Sequence, residues 1–540
     1  MPGSSPLRAN VSQQLKRTQG LLGVVVISLS AMLGSGLFVL PSLATEMMGG
    51  GIWLAYILAA SVVLPGVLSK SELASAMPTS GGDYIYIERT YGALFGTIAG
   101  LGLWASFLLK AAFALIGFAA YMEILALALD AEVNMVLISM FVLVLVVTLN
   151  ILGVKKIKVI QAPIVGISVL MLLGLSLAAP FSSGFDLSRP VSGSAFDGGL
   201  MGLAETAAFV FIAYAGVTKV AAIAEEVKDP GKNLPRGMLI SLLAATLLYA
   251  GVTFLLIATL PQGWELNADG QVRDDPIYAF AEHIGGSRLG LLAAGIAVLT
   301  MTSMALAGIL AASRYIFAMA RDRLLPQSLE NVNARFETPH WPILATGAAM
   351  ALSMLVLPIH DIAKLASGFQ IMIFIVVNSC VVVLRTATSS RTWYEPTYRS
   401  PLYPGVQIWG IVGGLLLLYT MGDKAFIGAS FAVVIGIVTY YWYGRKNASY
   451  RITPFETFRQ VMANPSQREF DRRAAAFFAA DKGGHGHLNL SEFQRAMNVL
   501  GIDFEDEGLR DVFHEVDADA SGVIDIHEFM QQFRAAQEEE

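Results

Sequence analysis

Runs of about 20 apolar residues recur along this chain, each followed by a short polar segment, and they limit its fold more than any other feature. The hydrocarbon core of a bilayer is about 30 Å thick and offers the backbone no hydrogen bonds, so an apolar helix of about this length is the unit that crosses it. Twelve such stretches are read, at residues 21–46, 52–73, 93–129, 135–153, 159–180, 200–224, 237–260, 286–320, 342–358, 361–386, 404–421 and 424–443. The expected fold is an all-α membrane protein with twelve transmembrane helices. Only 14% of the 540 residues are charged, against roughly 25% in soluble domains. The charge is also unevenly placed. From Arg445 to the end 11 Lys+Arg accompany 18 Asp+Glu in 96 residues, whereas the first 444 residues hold only 25 and 24. Two solvents are implied, lipid for the first part and water for the tail.

The boundaries expected from this reading are a cytoplasmic amino-terminal segment at 1–20, a membrane domain at 21–443, a linker at 444–466 and a water-soluble domain at 467–540. The first apolar run is too long for a secretory signal core and has no small-residue cleavage site. One set of loops carries seventeen Lys and Arg and the alternate set only five, which places both termini in the cytoplasm by the positive-inside rule. A multi-pass protein of a cell membrane, on short loops a bacterial inner membrane, is expected. Cys380 is the single cysteine, so no intrachain disulfide forms. There is no basic stripe for nucleic acid. Phosphate loops, zinc patterns and nucleophile-base sets are missing from the sequence, so no enzyme is expected.

Two spans carry glycine where an uninterrupted helix would not want it. The first reads Leu33-Gly34-Ser35-Gly36-Leu37-Phe38 and the sixth reads Tyr214-Ala215-Gly216-Val217. About 180 residues, the length of five spans, separate them. Paired interruptions at such a distance mark a binding site between two structural repeats. A half-helix amino terminus offers N–H groups to an anion, and unwound carbonyls accept a cation. A zwitterionic amino acid satisfies both.

With Glu72-Leu73, Pro78-Thr79-Ser80-Gly81-Gly82-Asp83-Tyr84, Ala224-Glu225-Glu226-Val227-Lys228-Asp229-Pro230 and Ala312-Ser313-Arg314 added to these glycines, the chain resembles the amino acid-polyamine-organocation (APC) superfamily of secondary transporters over residues 16–443. The resemblance implies a LeuT-like fold of five plus five helices in inverted repeat, with two more appended. It implies a substrate carboxylate on the Ser35 and Gly36 amides, an ammonium group near the carbonyls of Ala213 to Ala215, and the Tyr214 ring closing over the ligand. Ser30, Gly34, Phe211 and Gly216 complete the expected substrate-binding set.

Charges inside spans are costly and need a reason. Lys110 in the third span and Lys219 past the sixth-span glycine are candidate coupling residues, with Glu123 and Glu205 as expected acidic partners. Lys219 stands where the resembled family often carries an acidic or amide residue, and a fixed positive charge there would repel arginine or a polyamine. Ser168 in the fifth span and Thr302-Ser303 in the eighth could serve a coupling ion, and proton coupling, sodium coupling and exchange all stay open.

The tail holds the strongest local motif. Asp517, Asp519, Ser521, Asp525 and Glu528 stand at positions 1, 3, 5, 9 and 12 of an EF-hand loop, with Gly522 at 6 and the Val523 carbonyl at 7. Calcium requires this density of hard oxygens. A partner loop keeps Asp481, Asn489 and Glu492 but has Gly483 and His485 at positions 3 and 5, so weak or empty binding is expected. The calcium ion is the expected cofactor and an amino acid the expected substrate. The integrated expectation is an amino-acid symporter or exchanger modulated by calcium. Alternatives are an amino-acid receptor that does not transport, a polyamine transporter whose EF-hands serve assembly, and a homo-oligomer.

Overall fold

The computed structural model describes residues 19–78, 81–131, 133–153, 157–267, 270–333, 336, 338–387, 394–447, 453–455, 458–459, 473–474, 476–481, 486–500, 506–517, 521–526 and 528–529. It divides into two units. The first comprises Met1–Glu88, Ala93–Ser379 and Pro396–Ser449, and the second Arg89–Gly92, Cys380–Glu395 and Tyr450–Glu540.

The first apolar stretch forms three pieces, α1 (Leu21–Met32), α2 (Ser35–Phe38) and α3 (Leu40–Met48). Next come α4 (Ile52–Ala76), α5 (Asp83–Tyr91), α6 (Ala93–Leu127), α7 (Met135–Ile151) and α8 (Ile157–Ala178). Then α9 (Gly199–Val210) runs directly into a 3-10 helix at Phe211–Glu226. They are followed by α10 (Pro230–Thr259), α11 (Pro276–Arg321), α12 (His340–Val356), α13 (Ile359–Thr386), α14 (Gly405–Thr420) and α15 (Asp423–Thr439). Among the described residues, eight helices are long and apolar enough to cross a membrane, and four shorter apolar helices occupy the remaining stretches.

Local chemistry sets several ends. Pro41, Pro230 and Pro276 stand in the first turns of α3, α10 and α11, where the missing N–H costs nothing. Asn134 caps α7 by accepting the Leu137 amide at 3.1 Å. The eighth stretch begins ten residues earlier than the apolar pattern suggests, because α11 continues through a kink at Gly285–Gly286.

Packing follows a regular order. The first stretch lies on the sixth, α4 on α10, α6 on α11, and α7 on α12, so each of the first four packs against the one five further on. A buried polar network fastens one end of α4. Lys70 Nζ pairs with Asp83 Oδ2 at 2.7 Å and sits 3.8 Å over the Phe374 ring, and Glu72 Oε2 accepts the Ser400 amide at 2.7 Å.

In the second unit, α16 (Leu490–Leu500) and α17 (Asp506–Val516) flank a short antiparallel pair, β1 (His487–Leu488) with β2 (Ile524–Asp525), in register His487 to Asp525 and Leu488 to Ile524. Phe477, Phe493, Phe513 and Phe529 form its core with Leu488 and Ile524.

Removing one member of a buried ion pair strands the other. Lys70→Met or Asp83→Asn should each destabilise by about 3–5 kcal/mol, and Lys70→Met/Asp83→Leu together should recover most of it. Thermal unfolding of the three variants in detergent checks this, and additive losses in the double variant would contradict it.

Candidate functional site

The interruption in the first stretch falls at Leu33–Gly34, where Gly34 takes φ 158° and ψ −130°. Its hydrogens face the Met304 side chain so closely that a Cβ would strike the sulfur. A Cβ on Gly36 would lie 2.8 Å from the Ala213 Cβ, and one on Gly216 would run into the Ala31 peptide. Gly36 and Gly216 therefore let the first and sixth stretches approach at backbone distance, and Gly34 leaves room for the Met304 side chain of α11. Ser35, Phe211, Ala213, Tyr214 and Ala215 are all buried.

The groups released by the break find partners on other helices. Tyr56 Oη donates to the Gly36 carbonyl at 2.7 Å, and Tyr121 Oη donates to the Phe38 carbonyl at 2.6 Å. The Ser35 amide and hydroxyl meet Met304 Sδ at 3.4 and 3.5 Å, a weak acceptor that a stronger anion would displace. Ser30 Oγ instead bonds within its own turn, to Ile27 O at 2.9 Å.

The sixth stretch departs from the expected unwinding at Gly216. Its α-helix ends at Val210, and the chain stays helical with 3-10 winding from Phe211 through Glu226. Such winding keeps the carbonyls hydrogen-bonded within the helix while lengthening it to about 2.0 Å per residue. Small side chains at Ala213, Ala215 and Gly216 tolerate its eclipsed spacing. Ser367 stitches the junction, donating to Phe209 O at 2.7 Å and accepting the Ile212 amide at 3.1 Å.

Beside this junction stand three tyrosines, of which the sequence marked only Tyr214. Its hydroxyl donates to Tyr56 O at 3.0 Å, and its ring lies 5.3 Å from Tyr249 and 6.5 Å from Tyr56. Tyr249 Oη reaches Ala213 O at 3.5 Å. Tyr56 and Tyr249 were not predicted because neither belongs to a motif and each faces the site only through the packing of α4 and α10.

The intramembrane charges are partnered differently from expectation. Lys110 Nζ donates to the carbonyls of Ala31 and Ile212, both at 3.1 Å. Glu205 pairs with Lys364 at 2.9 Å. Glu123 lines a separate cavity of about 600 Å³ with Arg273, Asp274 and Tyr278, in which burial, with Asp275 beside it, pushes the Asp274 carboxyl up to about 6. Lys219 Nζ reaches Ala307 O at 3.3 Å. Ser168 Oγ meets Thr300 Oγ1 at 2.6 Å, whereas Thr302 bonds within its helix to Val298 O and the Ser303 carbonyl accepts Gln161 Nε2. Helical spacing explains the substitution: Thr300 shares a face with Met304, four residues on, and Thr302 points away.

In the second unit, Asp517 accepts the Ser521 amide at 2.9 Å and the Gly522 amide at 2.8 Å. Glu528 Oε2 accepts the Asp525 amide at 2.9 Å, and Asp525 Oδ1 accepts the Glu528 amide at 2.8 Å. The first loop repeats the pattern through Asp481 with Gly486 and Asn489 with Glu492. Gly486 and Gly522 take φ of 78° and 79° at position 6, a left-handed turn that suits glycine. The expected ligands Asp519 and His485 lie outside the described residues, and among the described residues no three acid or imidazole side chains converge. The remaining donors of the second loop are all oxygens, which fits a hard cation.

A family profile described as an amino acid permease matches residues 20–442, and one described as an EF-hand domain pair matches residues 470–534. The chain is 28% identical to the branched-chain amino acid permease BcaP of Bacillus subtilis (strain 168), over 81% of this chain and 95% of that protein. It is 27% identical to the branched-chain amino acid permease BcaP of Lactococcus lactis subsp. cremoris (strain MG1363), over 78% and 93%. Identity to the serine/threonine exchanger SteT of Bacillus subtilis (strain 168) is 26%, over 81% and 98%.

The close approach at Gly216 has a measurable consequence. Gly216→Leu should lower the melting temperature and remove stabilisation by ligand, whereas Gly251→Leu, at a position with open space around it, should change neither. Equal effects of the two in a thermal-shift assay would show that the contact with Ala31 does not matter.

Proposed function

The chain belongs to the amino acid permease family, and from that membership we propose that it is a secondary amino-acid transporter, a symporter or exchanger working by alternating access. The observation that carries the reading is the interruption at Gly34 against the 3-10 segment, with the Ser35 amide turned toward a displaceable thioether and Tyr56, Tyr214 and Tyr249 forming an apolar wall. A carboxylate on the Ser35 and Gly36 amides, an ammonium group near Ala213 to Ala215 and an aliphatic side chain against the tyrosines make a small or branched neutral amino acid the substrate. The names of the bacillary and lactococcal relatives support that class.

The packing of each early stretch on the one five further on supports a five-plus-five inverted repeat with two helices appended, twelve crossings in all. The Ser168–Thr300 hydroxyl pair replaces Thr302 and Ser303 as the candidate for ion coupling. The excess of Lys and Arg in one set of loops supports cytoplasmic termini, and short loops support a bacterial inner membrane. Calcium would be held by Asp517, Asp519, Ser521, the Val523 carbonyl, Asp525 and Glu528, and its binding modulates transport. Asp481, His485, Asn489 and Glu492 hold it weakly if at all.

Reconstituted into proteoliposomes, the full chain should accumulate labelled leucine or valine above equilibrium when a proton or sodium gradient, or internal amino acid, is supplied. Binding without any uptake or exchange would make it a receptor instead. In calorimetry of the full chain, Asp517→Ala should abolish the calcium heat that Asp481→Ala retains, and a wild type with no calcium heat would remove calcium from the account.

A further inference from the structure

Lys110 is 5% exposed, yet among the described residues no carboxylate pairs with it. Its ammonium group donates instead to Ala31 O, in the last turn of α1, and to Ile212 O, in the first turn of the 3-10 segment, at 3.1 Å each. One side chain from the third span thereby ties the two stretches that form the candidate site. One acceptor suits a cation especially: Ala31 O lies at the carboxyl end of α1, which carries the negative end of the helix dipole, and bonds from an ammonium group are about twice as strong as neutral ones. Both acceptors border the candidate site: the Ala31 peptide lies against Gly216, and Ile212 directly precedes Ala213. A second cationic side chain comes from the sixth stretch, where the Lys219 head group reaches Ala307 O at 3.3 Å.

We propose that Lys110 is a specificity-determining residue that bars substrates carrying a second positive charge. Its ammonium group already holds the carbonyls such a charge would use, and it repels the newcomer across a region of low dielectric. A zwitterion with a neutral side chain is net uncharged and escapes this penalty. L-Leucine is admitted, and L-lysine and L-ornithine are refused. This inference rests on the amino-acid reading of the site given above, and it assigns to the chain itself, rather than to an added ion, the positive charge between the two stretches.

The test is a thermal-shift titration of the purified full chain with L-leucine, L-lysine and L-ornithine in N-methylglucamine chloride, read as the ratio of the half-effective concentrations. The wild type should respond to leucine at a concentration at least about tenfold lower than to lysine. Lys110→Gln and Lys110→Met should cut that ratio at least about tenfold, whatever their absolute stability, and Lys110→Arg should preserve it. A purely structural lysine would shift stability without changing the ratio. The proposal is overturned by a wild type that answers lysine and leucine alike, by Lys110→Gln keeping the wild-type ratio, or by Lys219→Gln relaxing the ratio where Lys110→Gln does not. A wild type that answers no amino acid overturns the amino-acid reading itself and the inference with it. That result is seen in the wild type alone, so the two failures are distinguishable. Should Lys110→Gln fail to fold, the ratio read from Lys110→Met decides in the same way.

Discussion

Hydrocarbon leaves a peptide group nowhere to turn but to the protein, and each one left unpaired costs on the order of 1–3 kcal/mol. Breaking a helix at Gly34 releases several at once. The structure answers with side chains from four other helices: Tyr56 on α4, Lys110 and Tyr121 on α6, Met304 on α11, and, at the neighbouring junction of the sixth stretch, Ser367 on α13. The site is therefore a shared property of the bundle. Its position is held because helices that pack there supply partners to several of the released groups.

The two interrupted stretches solve the same problem by different means. In the first the helix stops and restarts, and bulky polar side chains take the exposed carbonyls. In the sixth the winding tightens and the chain stays helical, while side chains from other helices reach Phe209, Ile212, Ala213 and Val217. An amide end that is covered only by a thioether and a carbonyl end that is held by ammonium differ in how readily a ligand can compete for them. That asymmetry gives a physical basis for substrate selection at a site whose walls are otherwise apolar and aromatic.

The tail follows water-phase rules. Its phenylalanines close a small core, and the short strand pair joins position 7 of the first loop to position 9 of the second, and position 8 to position 8. A loop poor in ligands is thus shaped by a loop rich in them, and the acid-to-amide bonds of Asp481 and Asp517 preset both turns. Such mutual support accounts for the matching bonds at Asp481, Gly486, Asn489 and Glu492 in the first loop.

Apolar runs, glycine placement and the spacing of acidic residues were legible in the sequence because each obeys a local rule: a bilayer has a thickness, a left-handed turn suits glycine, and calcium ligands recur at fixed intervals in a loop. From these came the helical membrane class, the break at Gly34 and the EF-hand pair. Local rules could not say which side chains from distant segments would meet at the break. Tyr56, Tyr249, Ser367 and Met304 are ordinary residues until packing brings them together. Lys110 found carbonyls rather than Glu123 or Glu205, Ser168 met Thr300, and the sixth stretch tightened rather than opened. Each of those outcomes depends on helix rotation and on contacts between residues far apart in the chain, which are fixed only when the helices pack and their backbone groups compete for partners.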